Sequence, residues 1–414
     1  MELLKQVINE LRPKKIVFNK CTAVLDTINS EIKKNKIKAR AVLGGSIAKG
    51  TFLRYDYDCD IFVKFNLSYK KKDMSGLLEK ILKIFPKAEK IHGSRDYFNF
   101  KFNQINFEAV PVLDIKKPEQ AVNITDCSPL HVNWVKNNLK KNPKLADEIR
   151  LAKAFCKSCN VYGAESYIKG FSGHALDILV IYYKGFMPLL KNALEWKEQE
   201  VIDFNNYYKG NALEKLNKSK LGPLIVIDPI QPERNAAAVL SREKFLLFKK
   251  FAADFLKKPL KKFFEKKEIT INELKDKSRN KKLVLLDIKA FDGKEDVVGS
   301  KLLKAFNYIN KNLVSNGFTV YDKGWKWDKK EKALFWFILR HEILPESFKR
   351  IGPPIRNKEN VKRFMKKHRK TFTQGRIIYA MIKREFRKPE NLINFLKKDK
   401  YLKERAKKIE IFIY

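Results

Sequence analysis

Asp58 and Asp60 stand two residues apart at the mouth of a short apolar run, CDIFVKF (59–65), shortly after the stretch GGSIAKGT (44–51). No other feature constrains the fold of this chain as tightly. In an extended strand, side chains at i and i+2 share one face. The two carboxylates therefore project together, with Asp56 at the edge where the strand begins. Carboxylates held side by side raise each other's pKa unless a cation neutralises them. A divalent metal does this, and an all-oxygen site suits Mg²⁺, which keeps waters and substrate phosphates in its shell. Upstream, Gly44 and Gly45 let backbone N–H groups approach a phosphate. Ser46 adds a hydroxyl, and a helix starting near Ile47 adds its positive end. Lys49 lies about one turn on, within reach of the same anion.

Two other phosphate-binding patterns are excluded. A Walker A loop needs G-x-x-x-x-G-K-[ST]; Gly45 and Gly50 have that spacing, but Thr51 stands where the lysine belongs. The loop also lacks G-x-G-x-x-G. What remains, a Gly-Gly-Ser loop followed by paired acids on the next strand, suits nucleotidyl transfer. There, two metal ions ~3.5–4 Å apart activate the attacking hydroxyl and stabilise the leaving pyrophosphate. The competing reading, a surface turn with a solvated acidic edge, fits poorly with acids set in an apolar strand. A third carboxylate is expected from a neighbouring strand. Glu108 in INFEAVPVL is the candidate, on a strand predicted to run antiparallel beside 58–65, with Asp114 as the fallback.

The chain has 414 residues, enough for two to four domains. Lys and Arg number 88 against 47 Asp and Glu, a formal charge of +41, which points to a polyanionic partner and above all to nucleic acid. A lysine-rich surface also arises from general solvation, and an anionic membrane is the rival partner. No apolar run approaches the ~18 residues of a spanning helix; LDILVIYY is broken by Asp177 and ends at Lys184. The N-terminal MELLKQVINELRPKK carries its positive charge after the apolar part, unlike a secretory signal. Five irregularly spaced cysteines fit a reducing cytoplasm. Cys156 and Cys159 form C-x-x-C, but no second half-site follows, so they read as ordinary buried cysteines of a helix.

Val17, Cys21, Val24, Ile28 and Ile32, at spacings of 4, 3, 4 and 4, mark one helical stripe. Strands are predicted at 39–43, 58–65 and, in one or two pieces, 97–113, with SGLLEKILKIF as a helix between. Residues 130–260 are mostly helical by pattern, broken at GPLIVIDPIQPERN (222–235), where LIVID reads as a buried strand. The basic KKPLKKFFEKKEI marks a boundary near 261. Beyond it come a strand LVLLDI, a helix VGSKLLKAFNYINKNLVSNG with a glycine stop, and strands FTVYDKG and ALFWFIL. That order suggests a ferredoxin-like or related α+β module. A basic helix ENVKRFMKKHRK and a strand GRIIYAMIKREF follow.

Gly44-Gly45-Ser46-x-x-Lys49-Gly50-Thr51 followed by Asp58-x-Asp60 resembles the nucleotidyltransferase superfamily of DNA polymerase β and poly(A) polymerases. YGAESYIKGFSGHALDILVIYYKGF (162–186), DPIQPERNAAAVLS (228–241) and RIGPPI (350–355) resemble the class I, archaeal-type CCA-adding enzymes, in order and over nearly the whole chain. The resemblance implies an α+β protein with a polymerase β-like catalytic head at 1–125. A mostly helical nucleotide- and tRNA-binding domain would follow at 126–260, and a C-terminal α+β tRNA-binding body and tail at 261–414. It implies template-independent addition of C, C and A to the 3′ end of tRNA from CTP and ATP, with Mg²⁺ and release of pyrophosphate.

Carried over by motif, Asp58, Asp60 and Glu108 correspond to the catalytic, metal-binding carboxylates, and Gly45, Ser46 and Lys49 to the triphosphate loop. Ser128, His131, Lys153 and Tyr162 correspond to further nucleotide-binding positions, and Arg234 to the arginine that helps recognise the incoming base. Family members usually carry aspartate at the third acid, where this chain has Glu108. By local pattern alone His131 is a capping or surface histidine, Lys153 a solvated lysine and Tyr162 a core or rim aromatic. Arg234 follows a strand and two prolines, a rigid place for a fork of donors. Trp325 and Trp327 in KGWKWDKK are candidates either for stacking on an RNA end or for strand packing. The C-terminal module and basic helix 360–370 are the candidates for gripping the tRNA stem and elbow. Two other readings stay open, a poly(A) polymerase-like enzyme and a non-catalytic tRNA-binding protein, and so does a homodimer.

Overall fold

The computed structural model describes residues 2–93, 95–266 and 269–414 and divides into two units, Met1–Lys267 and Glu268–Tyr414. In the first, α1 (Glu2–Leu11) leads into α2 (Lys15–Lys34), which buries the expected stripe Val17, Cys21, Val24, Ile28 and Ile32. The chain continues through β1 (Ala39–Leu43), α3 (Gly45–Lys49), β2 (Cys59–Phe65), α4 (Met74–Leu82), β3 (Glu89–Ile91), β4 (Tyr97–Phe102) and β5 (Ile105–Leu113). The five strands make one sheet in the order β1-β2-β5-β4-β3.

The strand carrying Glu108 runs parallel to β2, not antiparallel as the sequence suggested, with Cys59 opposite Phe107 and Asp60 opposite Glu108. The reason lies in the connections. Asn103 and Gln104, both at positive φ, form a tight turn that makes β4 the antiparallel neighbour of β5. The chain from β2, through α4, β3 and β4, then returns β5 in the direction of β2. The odd residues of β2, Cys59, Ile61, Val63 and Phe65, are buried with the α2 stripe and with Leu78 and Ile81 of α4. Phe62, on the even face, packs instead with Val110, Val112 and Val132. Each fully buried side chain of this size contributes about 1.5–3 kcal/mol. A one-residue register slip would exchange the two faces, so the core fixes the face on which Asp60 lies.

Val132 belongs to α5 (Ser128–Lys141), the first of the helices that build the rest of the unit. Its start is pinned by Asp126, which is fully buried and accepts bonds from the Leu113, Val122 and Asn123 N–H groups and from Arg95. Next come α6 (Leu145–Ser158), α7 (Gly173–Tyr182), α8 (Phe186–Glu195), β6 (Glu200–Ile202), α9 (Ala212–Lys215), β7 (Leu224–Val226) and α10 (Arg242–Lys257). Phe155, Phe171, Phe186, Phe248 and Phe255 form the aromatic centre of their core. β7 is the strand foreseen in LIVID; its parallel partner β6 was not foreseen. Cys156 and Cys159 are buried in this core, as expected.

The second unit contains α11 (Ile271–Lys277), β8 (Lys282–Lys289), α12 (Glu295–Ser315), β9 (Val320–Trp327), β10 (Lys332–Leu339), β11 (Ser347–Pro354), α13 (Lys358–Lys367), β12 (Thr371–Gln374), β13 (Ile377–Lys383), α14 (Pro389–Leu396), α15 (Lys400–Lys403) and β14 (Lys408–Ile413). Its main sheet is antiparallel throughout, in the order β14-β8-β10-β9. That is the ferredoxin-like β-α-β-β-α-β plan, with β11–β13 and α13 inserted as a second sheet of order β11-β13-β12. The closing strand β14 was not anticipated. Trp325 packs edge-on to Phe335 at 6.2 Å, and the Trp327 Nε1–H donates to the Lys330 carbonyl at 3.0 Å. Both therefore serve strand packing. Among the described residues no helix is long and apolar enough to cross a membrane.

Candidate active site

The glycine-rich loop and the paired acids meet at one end of the sheet. The Gly44 N–H donates to the Asp60 carbonyl at 2.7 Å. Gly45 sits at φ +47, with its Cα against the Asp60 carboxylate. The helix begins at Gly45, two residues earlier than expected, and ends at Gly50 in left-handed conformation. Ser46 is its second residue. Asp58 immediately precedes β2, where it is exposed and accepts from Asn106 Nδ2 at 3.3 Å. Asp60 is partly buried and lies in register with Glu108 on the neighbouring parallel strand, so the two side chains leave the sheet on the same face.

Burial raises the Asp60 pKa to about 6, and the nearby Asp58 charge adds to this; Lys49 and Lys153 partly offset it. Asp60 is thus an acid whose ionised form is disfavoured by burial and by a like-charged neighbour. Asp56 stays outside the site, paired with Lys157 of α6 at 2.6 Å. Asp114 is also excluded, since it lies beyond the far end of β5 and pairs with Lys64 at 2.5 Å.

Lys49 does not point freely at an incoming anion, as the sequence suggested. Its Nζ lies 2.8 Å from Asp177 Oδ2 on α7; Asp177 is fully buried and the Lys49 side chain largely so. Lys153, expected to be solvated, is buried in α6; it lies 3.4 Å from Asp177 Oδ1 and donates to Thr51 Oγ1 at 3.1 Å. Burial lowers the Lys153 pKa, an effect that Asp177 opposes. Tyr162 lies beside the same cluster: a Cβ on Gly173, at the start of α7, would come 3.0 Å from its hydroxyl. Burial raises the Tyr162 pKa, and Lys157 sits 4.5 Å from its ring centroid.

A second cluster forms around Asp228, which is fully buried just after β7. His131, expected at the surface, is buried on α5 and its Nε2 lies 3.0 Å from Asp228 Oδ1. His174 of α7 approaches Asp228 Oδ2 at 3.4 Å, and the two imidazoles stand 4.5 Å apart. Arg234 Nη1 donates to Asp228 Oδ2 at 3.3 Å while its side chain stays 37% exposed. Burial alone would raise the Asp228 pKa, but the two histidines hold it well below the usual carboxylate range. Burial lowers the His174 pKa to about 4. Asp228 thus joins two positions singled out from the sequence, His131 and Arg234. Ser128 begins α5, one turn before His131.

Among the described residues, one group of three potential metal ligands has all its ligand atoms within 4.8 Å: His131, His174 and Asp228. Asp58, Asp60 and Glu108 do not form so tight a group. The donor sets differ in kind. Three carboxylates suit a hard cation such as Mg²⁺, whereas two imidazoles and one carboxylate suit a softer ion. In the second group, Arg234 already matches the carboxylate charge.

Sequence reasoning missed Asp177, His174 and Asp228. The signal for Asp177 was present: a lone acid inside LDILVIYY needs a buried cationic partner if that run is a core helix. His174 and Asp228 gave no such signal, because only the fold brings α5, α7 and the segment after β7 together.

Comparisons with known proteins cover most of the chain. Residues 25–131 match a nucleotidyltransferase domain, 147–265 the second domain of tRNA nucleotidyltransferases, and 279–409 the C-terminal domain of CCA-adding enzymes. A CCA-adding enzyme of Nanoarchaeum equitans is 35% identical over 388 residues, covering 92% of this chain and 93% of that protein. One from Methanocaldococcus jannaschii is 32% identical over 398 residues, covering 93% and 88%. Among solved structures, the Cid1 poly(U) polymerase bound to MgATP superposes with a TM-score of 0.52 at 14% identity, over 64% of this chain and 98% of that one. At that identity the likeness concerns the fold.

Proposed function

The chain belongs to the CCA-adding enzymes, and we propose that its catalytic centre comprises Asp58, Asp60 and Glu108 beneath the Gly44–Lys49 loop. The enzyme adds C, C and A to the 3′ end of tRNA from CTP and ATP by nucleotidyl transfer, releasing pyrophosphate. The observation that carries the site assignment is the contact between Gly45 and the Asp60 carboxylate, with Glu108 in register beside it.

The donors fit a divalent cation: all are oxygens, and Asp60 is an acid whose pKa is raised by burial and by the neighbouring Asp58 charge, both of which a bound cation would offset. Asp58, Asp60 and Glu108 would hold Mg²⁺, which when bound favours ionisation of the attacking 3′-hydroxyl and offsets charge on the departing pyrophosphate. The loop residues Gly45 and Ser46, with Lys49 and Lys153, bind the triphosphate and orient its α-phosphorus toward that hydroxyl. Tyr162, packed beside this cluster, is a further nucleotide-binding position. Ser128 and His131 place the nucleotide from α5. Arg234, held at one fork by Asp228, keeps donors exposed for a base edge.

In this reading 1–125 is the catalytic domain, 126–260 holds nucleotide and tRNA end, and 261–414 binds tRNA. The whole chain's charge of +41 supports a nucleic-acid partner, and the runs KKFFEKK (261–267) and KRFMKKHRK (362–370) place basic stretches in this last segment. α13, KENVKRFMKK, supports tRNA binding there: it has no buried residue and five basic positions against one acidic. Five buried free thiols support a cytoplasmic location.

The test is an incubation with tRNA lacking its 3′ end, CTP, ATP and Mg²⁺, resolved at single-nucleotide steps. Three additions ending in A are expected, and none from Asp58→Ala or Asp60→Ala, which should still bind tRNA. Incorporation by either variant at wild-type rate removes the site assignment.

A further inference from the structure

We propose that Asp177 is a positioning residue for nucleotide binding: a buried counter-ion that holds Lys49 and Lys153 in place until the triphosphate arrives. The inference rests on the reading of those two lysines as triphosphate ligands. Asp177 is 0% exposed, in an α7 whose other buried residues are all apolar. Its Oδ2 meets Lys49 Nζ at 2.8 Å and its Oδ1 lies 3.4 Å from Lys153 Nζ. Lys49 ends the phosphate loop and Lys153 sits in α6, so one carboxylate joins three elements around the site.

The charge count is informative. Lys153, which is buried, and Lys49, which is largely so, share the one carboxylate within ion-pairing distance. That leaves the trio with an excess of one positive charge and Asp60 as a more distant counter-charge. Buried charge persists only when matched, and an arriving triphosphate supplies the match. Without Asp177, two neighbouring buried cations would repel each other, and burial would favour loss of the Lys153 proton. The charged or titratable groups facing Lys153 are Lys49 on α3, Asp60 on β2, Lys157 on α6, Tyr162 after α6 and Asp177 on α7, with His174 of α7 near Lys49 and Asp177. Of these, only Asp177 is within ion-pairing distance of its ammonium group.

The test compares Asp177→Asn with wild type using inorganic tripolyphosphate, a probe without a base, as a competitive inhibitor. The inhibition constant is expected to rise about tenfold or more, the scale of one charge-assisted contact. KM for CTP and ATP should rise by a common factor, because the triphosphate is shared. The alkaline limb of kcat/KM should move to lower pH, which a merely structural defect would not produce. An Asp177→Asn protein with wild-type inhibition constant and alkaline limb overturns the proposal. Should that variant not fold, Lys153→Gln serves as the background, since removing one cation with the acid leaves the net charge of the trio unchanged and removes the repulsion between the two lysines. There Asp177→Asn should weaken tripolyphosphate further by loosening Lys49, and equal inhibition constants overturn the proposal. If Lys49→Met and Lys153→Gln leave tripolyphosphate binding unchanged, the triphosphate reading itself fails; if they weaken it and Asp177→Asn does not, only the role of Asp177 fails.

Discussion

Gly45 leaves no room for a side chain above Asp60: a Cβ there would come 1.5 Å from Asp60 Oδ2. Gly50, at the other end of the same short helix, has comparable left-handed backbone, φ +68 against +47, but open space around it. The two glycines separate backbone cost from site geometry. Gly50→Ala should cost about 1–2 kcal/mol in thermal unfolding and keep CTP incorporation within a few-fold. Gly45→Ala carries the same backbone cost and also displaces the Asp60 carboxylate, so incorporation should fall by about a hundredfold or more. Equal activities would separate the loop from the acid.

Glu108 is the third acid of the proposed site, one methylene longer than Asp58 and Asp60. Its register with Asp60 places it on the correct face. Glu108→Gln keeps the shape and removes the charge, so incorporation should fall beyond the ~10–100-fold typical of groups that only orient a metal ligand. tRNA affinity, measured by filter binding, should stay unchanged. Glu108→Asp retracts the carboxylate by one methylene, and activity should fall by about a hundredfold.

His174 makes stability depend on pH in a definite direction. Its folded pKa of about 4 lies below the ordinary histidine value of 6.5. Between those values the unfolded chain binds the proton and the folded chain does not, so stability falls as pH drops from about 6.5 to 4. The contribution reaches at most about 3 kcal/mol. His174→Phe removes this site's share, and urea melts across that window should show a shallower slope. An unchanged slope would mean that His174 is already charged in the folded protein.

Arg234 and Asp228 predict a separation between nucleotide choice and RNA binding. Arg234→Ala should reduce discrimination of CTP and ATP against UTP and GTP by about 1–3 kcal/mol per lost base contact. tRNA affinity should change little. Asp228→Asn should shift the same discrimination in the same direction, because it frees the guanidinium it now holds at 3.3 Å. Misincorporation assays with single nucleotides read both variants.

Sequence by itself determined many of the local elements and singled out the residues proposed to carry the chemistry. The α2 stripe, the strand through Asp60, the glycines of the loop and the basic α13 follow from periodicity, backbone freedom and charge within a few residues of one another. The family resemblance was legible for the same reason, since its motifs are contiguous. Tertiary structure decided the partnerships. That β5 lies parallel to β2 depends on a turn at Asn103–Gln104 and on the path through α4. That Lys49 and Lys153 share Asp177, and that His131 and Arg234 share Asp228, depends on segments up to 128 residues apart packing together. Buried charge must find its match wherever the fold brings one, and no local pattern specifies that meeting.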